Sequence, residues 1–270
     1  MNNIDWSLLA APFAAGLLVL ATHVPLGREV LKRGIIFIDL AIAQVAGLGV
    51  MVAQMLEWSH GEGGLDWPTQ LTAAVAACAG AVLLTWSGKR WPEIQEALIG
   101  LLFVFAASAG ILLLAHNPHG SEHLKDMLAG QILWVTWAQL VLPAVLYAFV
   151  LAVWFVLRQR FGDSGFYLLF ALTVTFSVQL VGVFLVFTSL IAPALASRNR
   201  DGGKGLRFAY VVGALGYGLG LAASAWWDLP SGAAIACILS GLACLGLRHT
   251  PNAHGHASHP PMMKHAKGKL

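Results

Sequence analysis

The sequence predicts an all-α fold, a polytopic transmembrane helix bundle of about 8-9 membrane segments including a short helical hairpin, and three observations carry that prediction. Hydrophobic residues fill 58% of the 270 positions, charged residues only 11%, and the mean hydropathy is +0.72. A water-soluble core of this length cannot bury that apolar surplus, so the surplus faces lipid. Apolar runs of about 20 residues, the length that crosses a hydrocarbon core of roughly 30 Å, recur from one end of the chain to the other. Basic residues, finally, fall in alternate loops and the C-terminal tail, with Lys125 alone elsewhere.

Taken in order, the runs predict helices over residues 8–27, 34–56, 71–87, 94–115, 132–157, 166–196, 208–227 and 231–247. The first lacks a basic leader and a small-residue cleavage site, and is read as a retained helix rather than a signal peptide. Residues 166–196 stand apart, because as one helix they would run about 46 Å, half as long again as the hydrocarbon core. Two short arms with a turn near residues 180–182 fit better. Each arm of about 15 residues then falls short of a full span and needs shielding by neighbouring helices. Irregular backbone at membrane depth survives only when buried in protein or lining a cavity, so the hairpin is a candidate for a transport pathway.

Charge placement tests this count. Arg28, Lys32, Arg33, Lys89, Arg90, Arg158, Arg160, Arg198, Arg200, Lys204, Arg207, Arg248, Lys264, Lys267 and Lys269 fall on one side when the hairpin counts as two passes, and Lys125 alone falls on the other. The positive-inside rule makes the first side cytoplasmic, with the N-terminus outside and the C-terminus inside. Outward loops carry Glu57, Glu62, Asp66, Glu122, Asp126 and Asp228. Trp6, Trp58, Trp67, Trp91, Trp134, Trp226 and Trp227 stand at or near helix ends, as interfacial anchors do. The net charge of +3 therefore records topology, and no nucleic-acid partner is expected.

Residues 1–248 form the membrane domain, and residues 249–270, rich in His, Pro and Lys, read as a disordered cytoplasmic tail. Cys78, Cys237 and Cys244 lie inside apolar runs and read as small buried hydrophobes. No phosphate loop is present, since the cluster Gly202-Gly203-Lys204-Gly205 lacks both the six-residue lead and the following Ser or Thr. Neither HExxH nor GxSxG occurs, which leaves an enzymatic reading without support. Any ATP hydrolysis belongs to another subunit.

Ionisable groups within the apolar runs are few, and each is costly unless it faces a partner or a polar path. Asp39 lies early in the second run, with Gln44 about one and a half turns later and His23 in the run before. A carboxylate oxygen and an imidazole nitrogen suit Zn²⁺ or Mn²⁺. Packing readings stay open for both: a capping carboxylate for Asp39, a hydrogen-bonded core histidine for His23. His60, His116, His119 and His123 cluster with acids in outward loops, either as a weak metal loop or as a solvated one. In the tail, His254, His256, His259 and His265 stand at spacings that chelate Zn²⁺ or Ni²⁺ in a flexible chain, against the alternative of a passive tail. Glycines spaced three and four apart in residues 213–224 allow close helix packing.

Three blocks in order, residues 31–50 (LKRGIIFIDLAIAQVAGLGV), 96–114 leading to 128–140, and VGVFLVFTSLIAPALASR at 181–198 followed by WDLPSGAAIA at 227–236, resemble the zinc/manganese/iron permease family of ABC transporters. The resemblance implies a homodimer in a bacterial cytoplasmic (inner) membrane, with a path near the dimer axis. It also implies cytoplasmic ABC ATPase subunits and an extracytoplasmic metal-binding receptor protein as partners. The cargo would be a divalent metal, Zn, Mn or Fe, with no cofactor bound by the chain itself. The loop from Ser197 to Arg207, which includes Arg198, Asn199 and Arg200, matches the region that receives the ATPase; a topology-setting loop is the other reading. One position departs from the family: a histidine usually follows its aspartate one helical turn later, and here that place is Ala43. The loop between Arg160 and Phe166 is also shorter than the family's. A membrane-embedded accessory protein or a secondary carrier without an ATPase partner remains the alternative. A carrier needs several buried charges for ion coupling, and the runs hold little beyond Asp39.

Overall fold

The computed structural model describes residues 6–56, 67–114, 128, 130, 132–157, 163–200 and 202–248. Among these residues there is no strand, and nine α-helices follow in order: α1 (Ala10–Arg33), α2 (Ile38–Met55), α3 (Trp67–Arg90), α4 (Gln95–Leu114), α5 (Trp137–Leu157), α6 (Asp163–Val181), α7 (Val183–Ala196), α8 (Gly202–Trp227) and α9 (Ser231–Arg248). Seven are long and apolar enough to cross a membrane; α7 and the apolar part of α9, Ser231–Gly246, are shorter. The protein is a multi-pass helical membrane protein, as its composition predicts.

Side-chain contacts relate the directions of α1, α3, α6, α7 and α8. At one end of the bundle Lys89 reaches Ser164 at 3.4 Å, the Arg33 guanidinium lies 4.3 Å from the centre of the Phe166 ring, and Arg28 donates to the Arg200 and Gly202 carbonyls. The ends of α1, α3 and α7 thus meet the starts of α6 and α8. At the other end Gln70, early in α3, is hydrogen-bonded to Gln179, late in α6. Consequently α6 runs away from the basic end and α7 returns to it: the hairpin expected within 166–196 forms.

Its turn is a single residue, Gly182, inside the predicted 180–182. Gly182 adopts φ 82° and ψ 161°, a region that residues with a Cβ avoid. Its N–H donates to Val178 (2.8 Å) and its carbonyl accepts from Val186 (3.0 Å), so both backbone groups of Gly182 itself are satisfied. The turn is covered by chain, since a Cβ on Gly130 would come 2.1 Å from the Val181 carbonyl oxygen. α6 (19 residues) and α7 (14 residues) are unequal, whereas similar arms were expected.

The hairpin occupies the middle. α1 packs on α5, α6, α7 and α8; α2 packs on α3, α4, α6 and α7; α9 closes against α7 and α8. α8 approaches its neighbours through small residues: a Cβ on Gly213 would meet Leu20 at 2.6 Å and one on Gly216 would meet Leu239 at 2.2 Å. Without a hydrophobic drive between helices in lipid, such close approach supplies van der Waals contact. α4 and α5 lie outermost, with Leu101, Phe105, Leu112, Val145, Phe149 and Val156 exposed.

Several boundaries depart from expectation for physical reasons. α1 continues six residues beyond the predicted end at Gly27 to Arg33, because Gly27 is a packing contact rather than a stop: a Cβ there would fall 2.0 Å from the Leu190 carbonyl oxygen. Residues 132–157 are not one helix; a 3-10 turn (Ile132–Trp134) precedes α5. The expected loop Ser197–Arg207 is much shorter, since α8 begins at Gly202. Glycine-rich sequence reads as loop locally, yet Gly205 is selected here by closeness to the Arg200 carbonyl, 2.1 Å from where a Cβ would stand. Of the cysteines expected to be buried, Cys237 and Cys244 are exposed and Cys78 is partly so; a small apolar thiol is equally at ease against lipid. Trp67, Trp91, Trp134, Trp226 and Trp227 are exposed at helix ends. The outward-loop histidines and the 249–270 tail lie outside the described residues.

Candidate translocation site

Asp39 occupies the first turn of α2 and is fully buried, with both carboxylate oxygens lacking a hydrogen-bond partner among the described residues. The local sequence explains its place. Gly34, at φ 70°, ends α1, and a turn of three residues starts α2, whose N-cap Phe37 donates its N–H to Glu96 at 3.3 Å. The Phe37 ring stacks on Phe187 of α7, centroids 6.4 Å apart. Asp39 therefore enters the bundle next to the second hairpin arm. A buried carboxylate without a protein partner is costly unless a cation or a proton neutralises it.

His23 is fully buried within α1. Its Nδ1 lies 3.0 Å from the Val19 carbonyl oxygen and 3.2 Å from the Thr22 hydroxyl, and Thr22 itself donates to Val19. With Nδ1 engaged by these two groups, Nε2 is the ring nitrogen left for a further partner. That Nε2 is buried without a partner. An imidazole oriented by a backbone carbonyl through one nitrogen and open at the other is the usual form of a histidine metal ligand.

Gln44 is buried too, but in a continuous helix five residues turn about 140° beyond a full circle, so it leaves α2 on a different face from Asp39. Ala43, not Gln44, shares that face. His23 and Asp39 are not hydrogen-bonded to each other; their helices share α6 and α7 as neighbours. One turn of α7 makes the connection: Leu190 meets Gly27 of α1, and Phe187 meets Phe37, the residue that caps α2. Among the described residues no group of three or more His, Cys, Asp or Glu gathers that could hold a metal ion.

Around the hairpin lies a set of hydroxyls that sequence reasoning missed. Tyr147 on α5 is hydrogen-bonded to Ser177 on α6 at 2.5 Å, and Ser189 on α7 to Tyr217 on α8 at 2.8 Å. All four side chains are buried. Thr173, Thr175, Ser177 and Ser189 also bond carbonyls one turn back, which satisfies them without breaking the helix. The signal was present: a tyrosine in an apolar run must find a partner for its hydroxyl, and the stretch Thr173 to Ser177 is unusually polar for a span.

Of the segment expected to receive an ATPase, Arg198 and Asn199 are exposed. Ser197 is buried and ends α7, its hydroxyl donating to Ala194 at 3.1 Å. Arg200 lies 3.4 Å from the centre of the Phe208 ring. His254, His256 and His259 lie outside the described residues.

A family described as the ABC 3 transport family matches residues 5–166 and 160–249. The chain is 25% identical over 265 residues to an uncharacterized membrane protein of Synechocystis sp., covering 89% of this chain and 90% of the relative. It is likewise 25% identical over 268 residues to a Chlamydia trachomatis protein named "Probable metal transport system membrane protein", covering 89% and 87%. Its fold is similar to that of PsaBC from Streptococcus pneumoniae, solved in complex with Fab, with a TM-score of 0.73, 18% identity, and coverage of 92% of this chain and 93% of that one.

Proposed function

This chain belongs to the ABC 3 transport family, and from that premise we propose that it is the membrane-spanning permease subunit of an ATP-driven importer for a divalent transition metal of the Zn, Mn or Fe type. The observation that carries the reading is the buried, unpartnered Asp39 carboxylate beside the hairpin, a group that a passing cation would neutralise. The relative named for metal transport supports the choice of cargo. His23 adds a borderline nitrogen ligand from α1, and Gln44 a carbonyl oxygen from another face of α2. With Ala43 on the face of α2 that Asp39 occupies, that face offers a single ligand, and the site holds its cargo loosely, as a path must if the metal is to leave.

In this reading the chain lies in a bacterial cytoplasmic membrane as a homodimer. A separate cytoplasmic ATPase docks at Arg198 and Asn199, with Ser197 and Arg200 holding the segment's shape, and a metal-binding receptor delivers cargo from outside. ATP-driven closure of the ATPases moves this segment, tilts α7 and opens the path past Asp39, an alternating-access cycle. His254, His256 and His259 of the tail capture metal as it emerges.

The test is metal uptake into vesicles by the permease reconstituted with its ATPase and receptor, run with Zn²⁺, Mn²⁺ and Fe²⁺. Asp39→Asn is expected to lower uptake on the order of tenfold or more, the scale of losing a metal ligand or its support. Uptake unchanged in this variant removes Asp39 from the path, and purification without any ATPase returns the protein to the accessory or carrier class.

A further inference from the structure

α1 contains Pro25, which cannot donate to the carbonyl one turn earlier. That carbonyl, of Ala21, instead accepts the Tyr210 hydroxyl of α8 at 3.0 Å. Below the proline three further contacts bind the last turns of α1, one to α7 itself and two to the α7–α8 connection. Gly27 lies against the Leu190 carbonyl of α7. Arg28 Nη2 donates to the Arg200 carbonyl at 3.1 Å, and Nη1 to the Gly202 carbonyl at 3.3 Å. Gly205, at the start of α8, completes the cradle, since a Cβ there would press on both the Arg200 carbonyl and the Arg28 guanidinium. The planar fork of arginine suits two carbonyls diverging from one turn.

We propose that Arg28 is the positioning residue that fastens the end of α1 to the α7–α8 connection, so that residues 25–33 move with this connection as one piece hinged at Pro25. This inference rests on the docking role given above to Arg198 and Asn199, and adds the route by which their displacement reaches the buried site. His23 stands two residues before the hinge. A rotation of the lower segment about Pro25 therefore shifts Gly27 and the rest of that segment relative to His23, which stays with the upper part of α1, while the Tyr210 hydroxyl keeps the Ala21 carbonyl satisfied. The connection between α7 and α8 acts on α7 directly and on α1 through Arg28, so both sides of the hairpin respond to one push.

Hydrogen exchange on the full complex of permease, ATPase and receptor, free and trapped with ADP and vanadate, tests this together with the Mn²⁺ taken up per ATP hydrolysed. In the wild type, trapping is expected to change exchange both in residues 197–207 and in residues 24–37. In Arg28→Ala the change in 197–207 persists, the change in 24–37 disappears, and Mn²⁺ moved per ATP falls roughly tenfold, within the range that coupling free energies span. Arg28→Lys, which keeps the charge and a donor group but not the planar fork, is expected to lose less, and carries the test if the alanine variant does not assemble. A 24–37 response in either variant equal to that of the wild type overturns the clamp while leaving the docking role standing. No response in 197–207 of the wild type overturns the docking role, and the clamp with it.

Discussion

α4 and α6 are of nearly equal length, 20 and 19 residues, yet only 17% of the α4 membrane segment is buried inside the bundle against 72% of the α6 segment. The more uniformly apolar helix is the outer one. In water the ranking would be reversed, but hydrocarbon is as good a solvent for Leu101, Phe105 and Leu112 as a protein interior. Hydroxyls gain from being inside, where partners are held in place. Thr173, Thr175 and Ser177 draw α6 inward, and with it the turn at Gly182 and the arm that meets both α1 and α2. Polarity, then, marks the functional interior.

This contrast can be broken in four places of decreasing consequence. Gly27→Leu forces a side chain onto the Leu190 carbonyl, and a cost above about 3 kcal/mol is expected because backbone cannot give way as a side chain does. Loss of the monodisperse peak in size-exclusion chromatography of detergent-purified protein is the readout. Gly182→Ala places a Cβ at φ 82° and is expected to cost about 1–3 kcal/mol, seen as a lowered Tm by circular dichroism. Should its Tm match the wild type, the hairpin turn is not under the constraint described.

Tyr147→Phe removes the bond to Ser177, for which about 0.6 kcal/mol is expected, the average for such bonds between membrane helices. A double-mutant cycle with Ser177→Ala isolates it, and a coupling near zero denies the hydroxyl set a structural role. Leu112→Val, on the lipid-facing side of α4, is expected to stay within about 0.5 kcal/mol. A larger loss in Tm would mean that α4 is covered by protein.

Much of the fold was legible beforehand. The set of apolar helices, the hairpin and, among the described residues, the meeting of Arg28, Arg33, Lys89 and Arg200 at one end followed from hydropathy and charge. The hairpin could be read because a 31-residue apolar run (166–196) is too long for one span, and Gly182 is where its backbone must leave the helical region. The connection around Gly202 and Gly205 was misread, because a glycine chosen for close packing is indistinguishable in sequence from one chosen for flexibility. Of the candidate site, Asp39 and His23 stood out as polar residues in apolar surroundings, but that Gln44 leaves Asp39's face took the continuous helix to establish. Tyr147 and Tyr217 escaped notice since their serine partners are 30 and 28 residues away.

The multi-pass helical character and the division of residues 166–196 into two arms are properties of single segments facing a uniform solvent, and the sequence by itself determined them. Which helices lie inside, how α7 comes to touch α1 and α2 within one turn, and why Arg28 meets two carbonyls more than 170 residues away were decided only by the tertiary structure. Between helices in hydrocarbon there is no gradient of hydrophobicity to read, and association depends on the fit of surfaces whose residues are distant in the chain.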